Sequence, residues 1–269
     1  QDRLYGGDND DVIEGGSGSD RIYGQSGADE LDGDSGNDTI YGSSGNDTIH
    51  TGSGTDFAYG GSGEDRMFAD SGNDKLQGGN DKDTLISLDN ASGDTMTGGG
   101  GNDVFWGDSG DSVTDANSHE NNYAKHLVGS FDNGADRTLD GDIIDPSGAL
   151  YATDDVFSDF GSLPLFSEDG PQRSDIDQGA VGNCWLMAGI GTIADENPER
   201  IRDSIVDFGD GTYGVNLGNE YFRVDGQLAI DEYGDPKYAG LGDNNSLWSA
   251  VVEKAWSDYR HDWPWGLDA

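Results

Sequence analysis

Asp2, Asp11, Asp20, Asp29, Asp38, Asp47, Asp56, Asp65, Asp74 and Asp83 stand nine residues apart, and no other feature of the chain restricts its fold as much. Each falls in a frame close to Gly-Gly-x-Gly-x-Asp-x-U-x, where U is apolar, and residues 15–23 (GGSGSDRIY) fit it throughout. Glycines at the first, second and fourth positions allow backbone angles that a Cβ forbids, so the first six residues form a loop. The last three then form a short strand. Its central residue runs Ile13, Ile22, Leu31, Ile40, Ile49, Ala58, Met67, Leu76, Leu85. Such a stripe can bury itself only against copies of itself, which predicts two small parallel sheets around a thin apolar core.

That core is too thin to carry the fold alone. Aspartate carboxylates and freed backbone carbonyls are hard oxygen ligands, and cages of such oxygens at about 2.3 to 2.6 Å select calcium. Metal binding then becomes folding free energy. The pattern resembles the nonapeptide repeat of RTX proteins, a calcium-binding parallel β-roll. The candidate calcium ligands are Asp11, Asp20, Asp29, Asp38, Asp47, Asp56, Asp65, Asp74 and Asp83, with Asp103 from one further copy, residues 98–106 (GGGGNDVFW). Between Asp83 and that copy the phase slips and residues 87–97 read as irregular. The frame also weakens where Asn9 and Asp81 replace the fourth glycine and Ala58 replaces a large core residue.

An acidic, glycine-rich tract is ordinarily a disordered segment. Periodicity decides against that here: ten acids in one phase would arise by chance about once in ten million. Disorder is instead expected of the calcium-free state. The formal net charge of −40, from 14 basic and 54 acidic residues, makes cations the natural partner and excludes nucleic acid and anionic membranes, which would repel the chain. With 32% hydrophobic residues, there is core enough for one modest globular domain beside the array. No run approaches the roughly 18 to 20 apolar residues of a membrane span. The chain begins in the tail of a repeat, Asp2-Arg3-Leu4-Tyr5, so the array is expected to extend upstream and targeting signals to lie outside this segment.

Three domains are expected: the roll over 1–110, a linker or end cap over 111–150, and a second domain over 151–269. His119 and His126, in the middle segment, match no standard zinc spacing and read as solvated.

In the last segment glycine falls and Trp, Leu, Ile and Val become regular. Cys184 is the only cysteine, so no internal disulfide is possible. After it, Trp185, Leu186, Ile190, Ile193 and Ala194 keep a helical period until Asn197-Pro198, so Cys184 starts a helix. A thiolate at a helix N-terminus is stabilised by free N–H groups and the helix dipole. A short helix is expected over 198–206, and hairpin strands over 212–217, 221–224 and 227–230 with a turn at Asp225-Gly226.

Residues 178–188 (QGAVGNCWLMA) resemble the active-site segment of calpains, the calcium-dependent papain-like cysteine proteases. The resemblance continues in residues 164–166 (PLF), in Gly170-Pro171 and in residues 247–256 (LWSAVVEKAW), a family helix whose buried face would be Leu247, Val251, Val252, Ala255 and Tyr259. It implies a multidomain chain in which the β-roll precedes the α+β, papain-like N-terminal lobe of a truncated protease. It further implies that Cys184 is the nucleophile, that the Gln178 amide and the Cys184 backbone N–H hold the oxyanion, and that Asp175 stands where calcium-activated members carry a ligand. Asn183 departs from the family's usual Asp but can still cap the helix.

A histidine base and its orienting Asn lie roughly 130 to 150 residues after the cysteine in papain relatives. Here His261 is the only downstream histidine, and residues 263–266 (WPWG) echo the family's Asn-Pro-Trp-Gly without the Asn. The base lobe is therefore expected beyond Ala269 and this chain alone to be inactive. The leading function is a secreted or cell-surface calcium-dependent cysteine endopeptidase acting on protein or peptide substrates. The alternatives are a non-catalytic extracellular calcium-binding or adhesion module with a degenerate calpain-like domain, and a different effector hydrolase carrying a calpain-like lobe.

Overall fold

A computed structural model describes residues 1–91, 93–131, 135, 156–167, 170–176, 184–218, 220–236, 241 and 246–261. The chain divides into two compact units, Gln1–Gly129 and Ser130–Ala269.

In the first unit two nonapeptides make one coil, so each residue meets its counterpart eighteen positions on: Arg21 pairs with Thr39, Ile22 with Ile40, Tyr23 with Tyr41. One parallel sheet stacks Arg3–Asp8, Arg21–Ser26, Thr39–Ser44, Phe57–Ser62, Lys75–Asn80, Thr95–Gly100 and Ser112–Val113 in that order. The facing sheet stacks Val12–Glu14, Glu30–Asp32, Thr48–His50, Arg66–Phe68, Thr84–Ser87, Val104–Asp108 and Lys125–Val128. Between them lie Ile22, Ile40, Ala58, Leu76 and Met96 from one sheet and Leu31, Ile49, Met67, Leu85 and Phe105 from the other, all fully or almost fully buried. The parallel β-roll expected from the repeat is thus the observed architecture. On the outer face, Tyr5, Tyr23 and Tyr41 stack at 5.0 and 5.2 Å, as in-register parallel pairing requires.

Two features differ from the sequence reading. The irregular stretch 87–97 does not interrupt the roll: Thr95–Gly100 pairs in register, with Met96 opposite Leu76, and the coil simply absorbs two extra residues. The roll also runs on past residue 110. Ser112–Val113 adds to the first sheet and, after a π-helical turn at Glu120–Ala124, Lys125–Val128 adds to the second. His126 is not a solvated residue; it is 2% exposed and packs 4.4 Å from the Trp106 ring. At the weakened frame positions, Asn9 and Asp81 adopt φ 79° and 73°, the left-handed region that Asn and Asp enter most easily among non-glycine residues.

The second unit contains α1 (Cys184–Glu196), α2 (Glu199–Ser204) and α3 (Trp248–His261). An antiparallel sheet joins Ile205–Asp207, Thr212–Leu217 and Glu220–Asp225, and Val156–Asp159 pairs separately with Gln227–Ile230. The helix expected over 198–206 therefore ends at Ser204, because Ile205 and Val206 turn into a strand that buries both side chains. The expected second hairpin does not form either. The Asp225 carboxylate accepts the Gln227 N–H at 2.9 Å, an Asx bend that sends 227–230 to Val156–Asp159 instead of back along 220–225.

Leu247, Val251, Val252 and Ala255 are buried as expected and Tyr259 packs against the core, but α3 is enclosed on more than that face: Trp248, Ser249, Glu253 and Lys254 are buried as well. Ile193 of α1, one of the apolar residues in the helical period after Cys184, is 38% exposed. Lys254 donates to the Asp225 carboxylate, to Asp225 O at 3.2 Å and to Gln227 O at 3.0 Å, which accounts for its three N–H groups. Lys254→Met would strand the buried Asp225 charge. It is expected to cost about 3–5 kcal/mol of stability, and less than about 1 kcal/mol by denaturant titration would show that the pair is not structural.

Candidate functional site

The repeat aspartates form two rows along the roll, one at each edge. In the first row the backbone N–H groups of Asp11, Asp29, Asp47, Asp65 and Asp83 each donate to Oδ1 of the next row member, Asp29, Asp47, Asp65, Asp83 and Asp103, always at 2.9 Å. The second row does the same through Asp20, Asp38, Asp56, Asp74 and Asp94 at 2.6 to 2.9 Å and ends on Asp111 at 3.2 Å. The first row ends on Glu120, whose Oε1 accepts the Asp103 N–H at 3.1 Å.

One carboxylate oxygen is thereby used. The other, Oδ2, is buried without a hydrogen-bond partner in Asp11, Asp20, Asp29, Asp38, Asp47, Asp56, Asp65 and Asp83. At about 1–3 kcal/mol each, and more when charged, eight such oxygens match or exceed the roughly 5–15 kcal/mol by which a domain is stable at all. The oxygens also converge with carbonyls on a shared gap. A Cβ placed on Gly24 would lie 2.2 Å from Asp29 Oδ2 and 2.9 Å from Gly42 O. On Gly42 it would meet Asp47 Oδ2 at 2.2 Å and Gly60 O at 2.7 Å, and on Gly60 it would meet Asp65 Oδ2 and Gly78 O at the same two distances. No three His, Cys, Asp or Glu side chains converge among the described residues, so a cation here must draw on main-chain carbonyls. A carboxylate oxygen beside carbonyl oxygens, with room only because glycine lacks a Cβ, is a donor set that fits a hard cation such as calcium.

Burial, opposed by the backbone N–H bond and reinforced by the neighbouring aspartates of the row, pushes these acids up: Asp47, Asp56, Asp74, Asp94 and Asp103 to about 6, Asp65 to about 7 and Asp83 to about 8, with Asp29 and Asp38 also raised. The ordinary value is 3.8, so the folded metal-free roll binds protons more tightly than the unfolded chain. Its contribution to stability is full below about pH 4 and is lost as pH rises through 6 to 8. In chelator the roll is therefore expected to show more β-structure by circular dichroism at pH 5 than at pH 8, and the opposite order would contradict this electrostatic picture.

All ten aspartates expected as metal ligands fall in these rows, but Asp74 is set apart, because its Oδ2 accepts the Thr51 hydroxyl at 3.1 Å. Sequence reading missed Asp94, Asp111 and Glu120. Asp94 carried a usable signal: apolar Met96 follows two residues later, as in every repeat. Asp111 has the same signal in Val113, two residues on, whereas Glu120 has no such frame and becomes a row member only through the last coil.

In the second unit Cys184 is the first residue of α1. Gln178, Gly179, Gly182 and Asn183 lie outside the described residues, as do the side chains of Cys184 and of His261, the last residue of α3. Asp175, in a single 3-10 turn at Arg173–Asp175, is fully buried. Its Oδ2 accepts the Gln172 N–H at 2.8 Å and Trp248 Nε1–H at 2.7 Å, and its carbonyl accepts the Ser249 hydroxyl at 3.0 Å. The turn at Arg173–Asp175 is thus clamped to the start of α3 by one aspartate, whose Oδ1 has no hydrogen-bond partner. No helix among the described residues is long and apolar enough to cross a membrane.

Residues 1–31, 23–58, 59–89 and 86–113 match four copies of the RTX calcium-binding nonapeptide repeat, and residues 157–263 match the calpain family cysteine protease. The calpain-1 catalytic subunit of Bos taurus is 34% identical over 104 residues, which are 36% of this chain and 14% of that protein. The calpain-1 catalytic subunit of Mus musculus is 33% identical over 106 residues (36% of this chain, 15% of the relative), and the calpain-2 catalytic subunit of Gallus gallus is 30% identical over 106 residues with the same coverage. The match therefore spans about a seventh of these relatives' length.

Proposed function

We propose, for a chain that carries calcium-binding RTX repeats and a calpain-family protease domain, the function of a calcium-dependent cysteine endopeptidase delivered to a calcium-rich exterior. The observation that carries the proposal is the position of Cys184 at the first residue of α1, inside the calpain-family match. There the helix dipole and free N–H groups stabilise a thiolate able to attack a peptide carbonyl. The Gln178 amide and the Cys184 backbone N–H hold the oxyanion that results. Asp175 ties the turn at Arg173–Asp175 to α3, and its remaining oxygen is what a cation ligand at this place would need.

In the roll, Asp11, Asp29, Asp47, Asp65, Asp83 and Asp103 of one row, with Asp20, Asp38 and Asp56 of the other, are the candidate calcium ligands together with glycine-loop carbonyls, whereas Asp74 has its second oxygen taken by Thr51. Bound calcium supplies the positive charge that the paired rows lack. Calcium sites of extracellular modules bind in the range of about 10⁻⁴ to 10⁻³ M, which suits a roll that folds only after export. Substrates are protein or peptide chains.

Iodoacetamide alkylation of Cys184, followed over pH and mapped by mass spectrometry, tests the nucleophile. Its rate is expected to reach half-maximum below the ordinary thiol value of about 8.5. A half-maximum at or above that value would make Cys184 an inert buried thiol and leave the calcium-binding module as the function.

A further inference from the structure

The two edges of the roll are built differently. In the first row every loop opens with glycine: Gly6, Gly24, Gly42, Gly60, Gly78 and Gly98, where an added Cβ would lie 2.1 to 2.7 Å from the Oδ2 of the loop's own aspartate. In the second row the equivalent residues are Gly15, Gly33, Thr51, Ala69, Ser87 and Gly107. The backbone establishes the equivalence for the first four, since they donate the same hydrogen bond, to Asp32 O, His50 O, Phe68 O and Ile86 O respectively. Ser87 is the corresponding residue one coil later, opening the loop that leads to Asp94.

At Gly33 the gap is still open, because a Cβ there would sit 2.3 Å from Thr51 O and 3.1 Å from Asp38 Oδ2. From Thr51 to Ser87 the loops open on a real Cβ. Thr51, Ala69 and Ser87 are all buried, at 0, 3 and 0% exposure. The hydroxyls, moreover, supply what a cation would. Thr51 donates to Asp74 Oδ2 at 3.1 Å, and Ser87 Oγ lies 2.8 Å from Asp94 Oδ2 and 3.0 Å from Asp111 Oδ2. These three carboxylates are absent from the set with an orphaned oxygen, whereas Asp56 before them in the same row and Asp11, Asp29, Asp47, Asp65 and Asp83 of the first row all belong to it.

We propose that the roll is loaded asymmetrically: the first edge takes calcium along its length, the second only at the Asp20, Asp38 and Asp56 loops, and from Asp74 to Asp111 the second edge is closed by side-chain hydroxyls and methyl groups in place of ions. The inference rests on the calcium reading of the roll and adds where that calcium stops. Its consequence is a coil whose C-terminal half has one edge held together without metal.

Crystals of the full chain grown in calcium and measured for anomalous scattering test this directly. Peaks are expected beside Asp29, Asp47 and Asp65 and beside Asp38, with none beside Asp74 or Asp94. A peak at either of those two overturns the asymmetry. No peak in either row would overturn the calcium reading itself, a separate failure. In calorimetric titration the triple variant Thr51→Gly, Ala69→Gly, Ser87→Gly, if its calcium-bound circular dichroism matches the parent, is expected to bind at least one more calcium per chain. An unchanged count in that folded variant would show that the glycine gap does not decide occupancy.

Discussion

Chelation of calcium at pH 8 is expected to abolish the β-signal of residues 1–129, and millimolar calcium to restore it. The eight orphaned Oδ2 atoms and the mutual repulsion within each row are offset by nothing else in the described structure. The apolar stripe is one residue wide per sheet, too little to outweigh them. A spectrum unchanged between chelator and calcium would refute the argument. Asp47→Asn sharpens the test, because it keeps the Oδ1 acceptor for the Asp29 N–H while removing the charge. It should raise the calcium midpoint by about 3- to 10-fold, since ligand charge sets calcium affinity. It should also make the metal-free roll more stable, since a buried like charge is gone. A substitution that merely damaged packing would weaken both states. Opposite signs are therefore the signature of a ligand.

In any form of this protein that cleaves peptides, Cys184→Ala is expected to lower kcat by about 10⁴-fold or more, with the fold intact by circular dichroism. Gln178→Ala should lower kcat by about 10² to 10³, the usual loss for one oxyanion donor, with KM little changed. The two differ in kind: one removes the atom that attacks, the other a dipole that matters only once charge develops on the substrate oxygen. Wild-type turnover in Cys184→Ala would end the cysteine protease reading, and an unaltered kcat in Gln178→Ala would remove that residue from the site.

The roll was legible because a repeat encodes its own neighbours. Once Asp20, Asp38 and Asp56 share a phase, the contact between positions eighteen apart follows, and with it the core stripe and both carboxylate rows. Cys184 at a helix start was legible for a similar reason, the apolar period after it being local. The elements that were missed had a weak local signature or none. Lys125–Val128 carries no repeat and becomes a strand only because Val104–Asp108 offers it an unpaired parallel edge. Met96 and Asp94 were hidden by a two-residue insertion that the coil accommodates without losing register.

By itself the sequence determined the winding of residues 1–110, the aspartate rows and the cysteine at the head of α1, since each depends on residues within one coil or one helix. Tertiary structure alone decided which aspartates keep an unpartnered oxygen, because Thr51 reaches Asp74 and Ser87 reaches Asp111 across neighbouring coils. It also decided that 227–230 pairs with 156–159 and that Asp175 binds Trp248 and Ser249 more than seventy residues away. Such partners are selected by which buried polar group is left unsatisfied once the chain has closed around it, a condition that no local pattern records.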